Sequence, residues 1–135
     1  MTLHVELLMP DRSLWSGAAG MVIAKTIDGD IGILSGRAPV FGILSPGSLV
    51  RIQPEEGDES GEEVRAAVRD GFLSVNNDRV SILTSVGLLA DDVEVTAARA
   101  DLDAASAEAG SASAAEESVE VRYARARLRA AGEQA

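Results

Sequence analysis

The 135-residue sequence contains no cysteine. Disulfides, thiolate metal sites and cysteine nucleophiles are thereby excluded, and an intracellular location fits better than a secreted one. There is a single histidine, His4, and one histidine without cysteine cannot furnish a transition-metal cage of the usual kind. No motif surrounds His4 that would make it part of a serine triad. Aromatic residues are 3% of the chain, and many of the apolar residues are alanines placed late in the sequence. The last third therefore has little with which to build a core of its own. No apolar run approaches the ~18 residues of a membrane span, and the N-terminus lacks the charged and apolar regions of a signal peptide. A cytosolic origin is expected, with any membrane association made through a partner. Positive charge is also short: the net charge of −10 argues against nucleic acid as a partner.

What the sequence does have is glycine and proline punctuation between short apolar runs. Residues 31–34, 40–44 and 49–52 are such runs, separated by Gly36, Ala38-Pro39 and Pro46-Gly47. This is the grammar of short strands and tight turns. Pro46-Gly47 suits the two central positions of a type II turn, and Pro39 keeps Ala38 extended. Before this stretch, Leu3, Val5 and Leu7 alternate with polar residues up to Pro10, residues 14–16 make a strand stopped by Gly17, and residues 21–24 form a continuous apolar run. After it, the pattern predicts strands over 48–53, 64–68, 72–75 and 80–83. Asp70-Gly71 is a tight hairpin signal, and Glu55, Glu56, Asp58, Glu59, Glu62 and Glu63 crowd a turn that reads as a solvated hairpin tip. About ten short strands at regular spacing predict a β-sandwich or barrel.

Past Gly87 the period becomes helical. Asp91-Asp92 precede a helix from Val93, on which Val95, Ala98, Leu102, Ala105 and Ala109 share a face. Residues 110–113 break it, and Glu116-Glu117 open a second helix with Val121, Ala124, Leu128 and Ala131 on one face and Arg122, Arg125 and Arg129 on another. The expected fold is mainly β with a C-terminal α appendage: a β-sandwich over residues 1–88 and a helical hairpin over 89–135. Alanines dominate the hairpin seam, so few large anchors (Val95, Leu102, Val121, Tyr123, Leu128) fix it to the sandwich. Two readings stay open there, a mobile regulatory arm and a loosely packed appendage. No catalytic constellation is found, because residues 29–37 lack both the Gly-Lys-Ser/Thr ending of a P-loop and the Gly-x-Gly-x-x-Gly spacing. A non-enzymatic protein is expected.

Four separated motifs carry a family resemblance: Trp15-Ser16-Gly17; Gly29-x-x-Gly32-Ile33-Leu34-x-Gly36-x-Ala38-Pro39; Ile43-x-x-Pro46-Gly47; and Gly71-Phe72-Leu73-x-Val75 followed by Val80-x-Ile82-Leu83. In order and spacing these resemble the epsilon subunit of F-type ATP synthases over roughly residues 3 to 88. The resemblance implies a non-catalytic subunit of the rotating central stalk, peripheral to the cytoplasmic face of the bacterial plasma membrane. It implies gamma subunit and c-ring as partners of the sandwich. It also implies that the hairpin can extend towards the alpha and beta subunits and oppose ATP hydrolysis. Carried over by position, Asp30, Ile31, Ser35, Arg37 and Ala38 are the expected c-ring contacts, and Arg122, Arg125 and Arg129 the expected contacts with beta. Two departures stand out. Arg37 replaces the family's usual histidine, so a group that titrates near neutrality becomes one charged at any working pH. Ala97 replaces the arginine of an Ile-Asp-x-x-Arg-Ala motif through which some members bind ATP, so no cofactor is expected. On the bland reading Asp30 and Arg37 are a local surface pair. The competing function is a free-standing acidic β-sandwich adaptor for a soluble protein.

Overall fold

A computed structural model describes residues 2–55, 61–109 and 118–133. Ten strands run in chain order: β1 (Leu3–Leu8), β2 (Ser13–Ala19), β3 (Met21–Thr26), β4 (Gly29–Ile33), β5 (Val40–Ile43), β6 (Ser48–Gln53), β7 (Val64–Val68), β8 (Phe72–Asn76), β9 (Arg79–Leu83) and β10 (Gly87–Leu89). A 3-10 turn (Ala90–Asp92) and two helices, α1 (Val95–Ala109) and α2 (Val119–Ala130), follow. Glu56, Asp58, Glu59, the break at 110–113, Glu116, Glu117 and the Ala109 side chain lie outside the described residues.

The strands form two five-stranded sheets, ordered β2-β1-β9-β8-β5 and β10-β7-β6-β3-β4. Every pairing is antiparallel except that of β1 with β9. Alternation along each strand sends one set of side chains inward. Leu3, Val5, Leu7, Leu73, Val75, Val80 and Ile82 of the first sheet meet Val22, Ala24, Ile33, Val50, Ile52, Ala66 and Val68 of the second. These side chains are all buried and make one apolar core between sheets, the arrangement expected of a β-sandwich.

Three local expectations change. The second strand does not stop at Gly17, because β1 continues to pair beyond it, Val5 with Gly17 and Leu3 with Ala19. The first helix begins at Val95 and not at Val93: Asp91 and Asp92 belong to the 3-10 turn, which closes when Val93 N donates to Ala90 O. Asp70-Gly71 does not make a hairpin, since β7 lies in one sheet and β8 in the other. It is the corner where the chain crosses the sandwich.

The outer face of the second sheet is covered by the hairpin. Ala67 points away from the core, and on it rest Tyr123, Ala126 and Ala130 of α2, with Leu49, Ala90 and Val93 at the margin. The opposite side of α2 packs against α1, whose Ala98 is buried and whose Val95, Leu102 and Ala105 are half-buried. Thus α2 has two buried faces where the sequence pattern gave one, and the molecule has the order sheet, sheet, α2, α1. Ser118 caps α2, its hydroxyl accepting from Val121 N at 3.2 Å, which supplies a partner to one of the first-turn amides. Arg69 and Glu120 pair across the interface between β7's end and α2, and Arg127 reaches Asp101 of α1 at 2.9 Å while lying 4.8 Å from the centre of the Tyr123 ring. Burial pushes the Tyr123 phenol up, against the pull of Arg127 and Arg69. Among the described residues no helix is long and apolar enough to cross a membrane.

Candidate functional site

The expected contact residues near the glycine-rich stretch divide into two places. Asp30 lies on β4, exposed, directly across from Lys25 of β3. Ile31, next along, is half-buried and packs against the sandwich core. Ser35, Arg37 and Ala38 sit in the loop between β4 and β5, where Gly36, Arg37 and Ala38 are exposed. Asp30 and Arg37 do not pair with each other, which removes the reading of a local ion pair. That loop is gripped from the β8–β9 turn: Ser35 Oγ donates to Asp78 Oδ2 and Gly36 N to Asp78 Oδ1, each at 2.7 Å.

The structure brings together Arg122, Arg125 and Arg129, as their i, i+3, i+7 spacing requires. Arg122 and Arg125 are half-buried, and Arg129 is exposed. With Lys25, Arg51 and Asp30 they line a cleft of about 710 Å³ between α2, β3 and the β5–β6 turn. Arg51 is committed to Glu63 at 2.8 Å, and that hydrogen bond holds the Glu63 carboxyl below its usual range. Basic side chains outnumber acidic ones in its lining, and Arg125 and Arg129 have interactions of their own. Its roof is held close by Gly47, whose φ is +63° and whose position leaves no room for a side chain beneath Tyr123 N. Ala97 is exposed on α1, and Arg99 faces Glu133 at 3.9 Å. Among the described residues no group of metal-ligating side chains is assembled.

A third surface was not foreseen in the sequence. The chain has two phenylalanines, and both lie outside the core. Phe41 is 65% and Phe72 38% exposed, and their rings meet at a tilt, 5.3 Å between centroids. Ile43 pairs with Phe72 and Phe72 with Leu83 across the strands, so an uncovered apolar strip crosses β5, β8 and β9 on the outer face of the first sheet. The signal was available: Val40 and Gly42 face in, and strict alternation then sends Phe41 and Ile43 out. An aromatic strip at a sheet edge, on the face the hairpin leaves free, is the form of a protein-docking surface.

Comparison with known proteins gives the family. The model of the ATP synthase delta/epsilon chain β-sandwich domain matches residues 2–90. The ATP synthase epsilon chain of Thermobifida fusca is 50% identical over 130 residues, covering 96% of this chain and 91% of that one. That of Streptomyces griseus is 43% identical over 110 residues, 82% of this chain and 85% of its own. Among solved structures, a chain of the Euglena gracilis mitochondrial ATP synthase (OSCP/F1/c-ring) superposes with a TM-score of 0.72 at 18% identity, covering 97% of this chain and 79% of that one. A chain of the Tetrahymena thermophila mitochondrial ATP synthase (central stalk/c-ring) does so with a TM-score of 0.54 at 15% identity, covering 70% and 71%. At those identities the likeness is one of fold. With a sandwich-domain match over residues 2–90 and a relative half-identical along nearly its whole length, the chain belongs to the epsilon chain family of the F-type ATP synthases.

Proposed function

We propose that this protein is a non-catalytic central-stalk subunit of a bacterial F-type ATP synthase, joining the gamma subunit to the c-ring on the cytoplasmic face of the plasma membrane. Family membership supports the reading, and within the fold one observation carries it: the strip of Phe41, Ile43, Phe72 and Leu83 is left uncovered on the face opposite the hairpin. Burying such side chains is worth roughly 1.5–3 kcal/mol each, so gamma is the partner assigned to that face. The exposed loop of residues 35–38, beside the start of β5, is assigned to the ring, with Asp30 at its near strand. The hairpin is the regulatory arm, and its arginines meet the beta subunit when it extends.

The test is recovery of the tagged chain from detergent-solubilised membranes of its own source. Wild type should travel with a large membrane-bound ATPase, and the Phe41→Asp/Phe72→Asp variant should fold yet be recovered without it. Recovery of only a soluble protein with wild type would instead support the free-standing adaptor.

ATP is expected to bind the isolated subunit poorly. The missing guanidinium at Ala97 removes charge-assisted hydrogen bonds of about 1.5–3 kcal/mol each to phosphate. Calorimetric titration should show no saturation in the micromolar range. Micromolar affinity would overturn the expectation, and abolition of that affinity by Arg99→Ala would locate the replacement for the lost arginine.

A further inference from the structure

The β8–β9 connection is a two-residue turn, Asn77-Asp78, with φ of +50° and +62°. Both values lie in the left-handed region, where glycine is the least strained residue and the second position of such a turn most often carries it. A carboxylate stands there instead, and it is fully used. Its Oδ1 accepts from Gly36 N and its Oδ2 from Ser35 Oγ, each at 2.7 Å, across 42 and 43 residues of sequence. The main chain of the same residue is anchored too, since Asp78 O accepts from His4 N at 2.8 Å at the start of β1. The turn therefore ties the exposed loop that follows β4 to the parallel β1–β9 pair at the heart of the first sheet.

We propose that Asp78 is a positioning residue, a clamp that fixes the backbone of residues 35–38 and thereby sets the direction in which Arg37 and Ala38 are presented to the ring. This rests on the reading that the loop meets the c-ring. Beyond the clamp, Arg37 and Ala38, both exposed, have no other described hydrogen bond or ion pair to hold them. An exposed arginine on a loosely held loop contributes little to a directional contact, because the ordering entropy is lost on binding. The Gly36 amide, then the Ser35 hydroxyl, hold the Asp78 carboxyl below its ordinary range. The charge of the chain's amino terminus acts in the same direction. The clamp is consequently ionised through the neutral range, and it opens only as pH falls through that lowered value.

The experiment compares Asp78→Gly and Asp78→Asn with wild type. Glycine suits the turn, so Asp78→Gly should melt at or above the wild-type temperature, while the Gly36 amide exchanges about tenfold faster for the loss of a charge-assisted hydrogen bond. In membrane vesicles containing the assembled synthase, Asp78→Gly should lose proton pumping per ATP hydrolysed. Asp78→Asn, which keeps one acceptor oxygen, should lie between on both measures. Arg37→Glu is run alongside as a direct change to the loop's outer face. Loss of pumping with Arg37→Glu but wild-type pumping with Asp78→Gly overturns the clamp and spares the ring-contact reading. Wild-type pumping with Arg37→Glu overturns both. An unchanged Gly36 exchange rate makes Asp78 an ordinary turn residue and also overturns the proposal.

Discussion

Gly71→Ala should destabilise the sandwich by roughly 3–5 kcal/mol, a large share of a small domain's total. Two costs add at this corner. The φ of +131° is one that side chains rarely adopt. A Cβ there would also be driven into the carbonyl of Leu83, with Leu83 C at 2.8 Å and Thr84 Cα at 2.9 Å. Those are backbone atoms and cannot swing aside. Relief by a backbone shift is blocked as well, because three connections meet at this place. Gly71 O accepts from Leu44 N at 2.9 Å, and Asp70 Oδ1 accepts from both Ser85 N and Ser85 Oγ. Thermal unfolding followed by circular dichroism is the measurement. A melting temperature within about 4 °C of wild type would mean a loss below ~1 kcal/mol, and the corner would then be far more compliant than its packing implies.

Gly47→Ala should leave the sandwich standing and release the hairpin. Here too φ is positive, at +63°, but the obstruction is α2 itself: the new methyl would meet the Arg122 Cβ and lie 2.5 Å from Tyr123 N. What opposes release is the seam of Ala67, Ala126, Ala130 and Tyr123, and alanine methyls bury little area. Overpacking of about 1–3 kcal/mol is therefore comparable with what holds the arm down. Amides of α2 should lose hydrogen-exchange protection while those of β1 and β9 keep theirs. In the assembled synthase the freed arm should lower ATP hydrolysis, by turning the arginines out of the cleft towards the beta subunit. That added inhibition should weaken with salt, since exposed pairs are screened beyond ~8–10 Å at ordinary ionic strength. It should vanish when Arg122, Arg125 and Arg129 are changed together to alanine. Unaltered protection of α2 would show that the turn yields and the arm stays docked. An equal fall in hydrolysis with and without the three arginines would leave them as lining of the cleft alone.

The sequence by itself determined the local structure of this protein and its family. Alternation and turn residues are short-range signals, so β6, β7, β8 and β9 could be placed to within a residue, and the apolar face of α1 was legible from Val95 to Ala105. The four motifs also share fixed spacings that chance seldom repeats together. Three things depended on contacts distant in sequence. Asp70-Gly71 has the chemistry of a hairpin turn, but whether the next strand pairs or crosses depends on β1 and β9 already occupying the other sheet. The three-residue β10 is too short to alternate and exists because β7 offers it an edge. The second face of α2 was written in the sequence as Tyr123, Ala126 and Ala130, yet an alanine spacing reads equally well as mere helix propensity until Ala67 is found beneath it. The candidate contact residues follow the same rule. Asp30, Arg37 and the arginines of α2 were identifiable by type and position. Their division between a clamped loop and a basic cleft, and the apolar strip around Phe41 and Phe72, were decided by folding, because a side chain's exposure is a property of what packs against it and not of the residue itself.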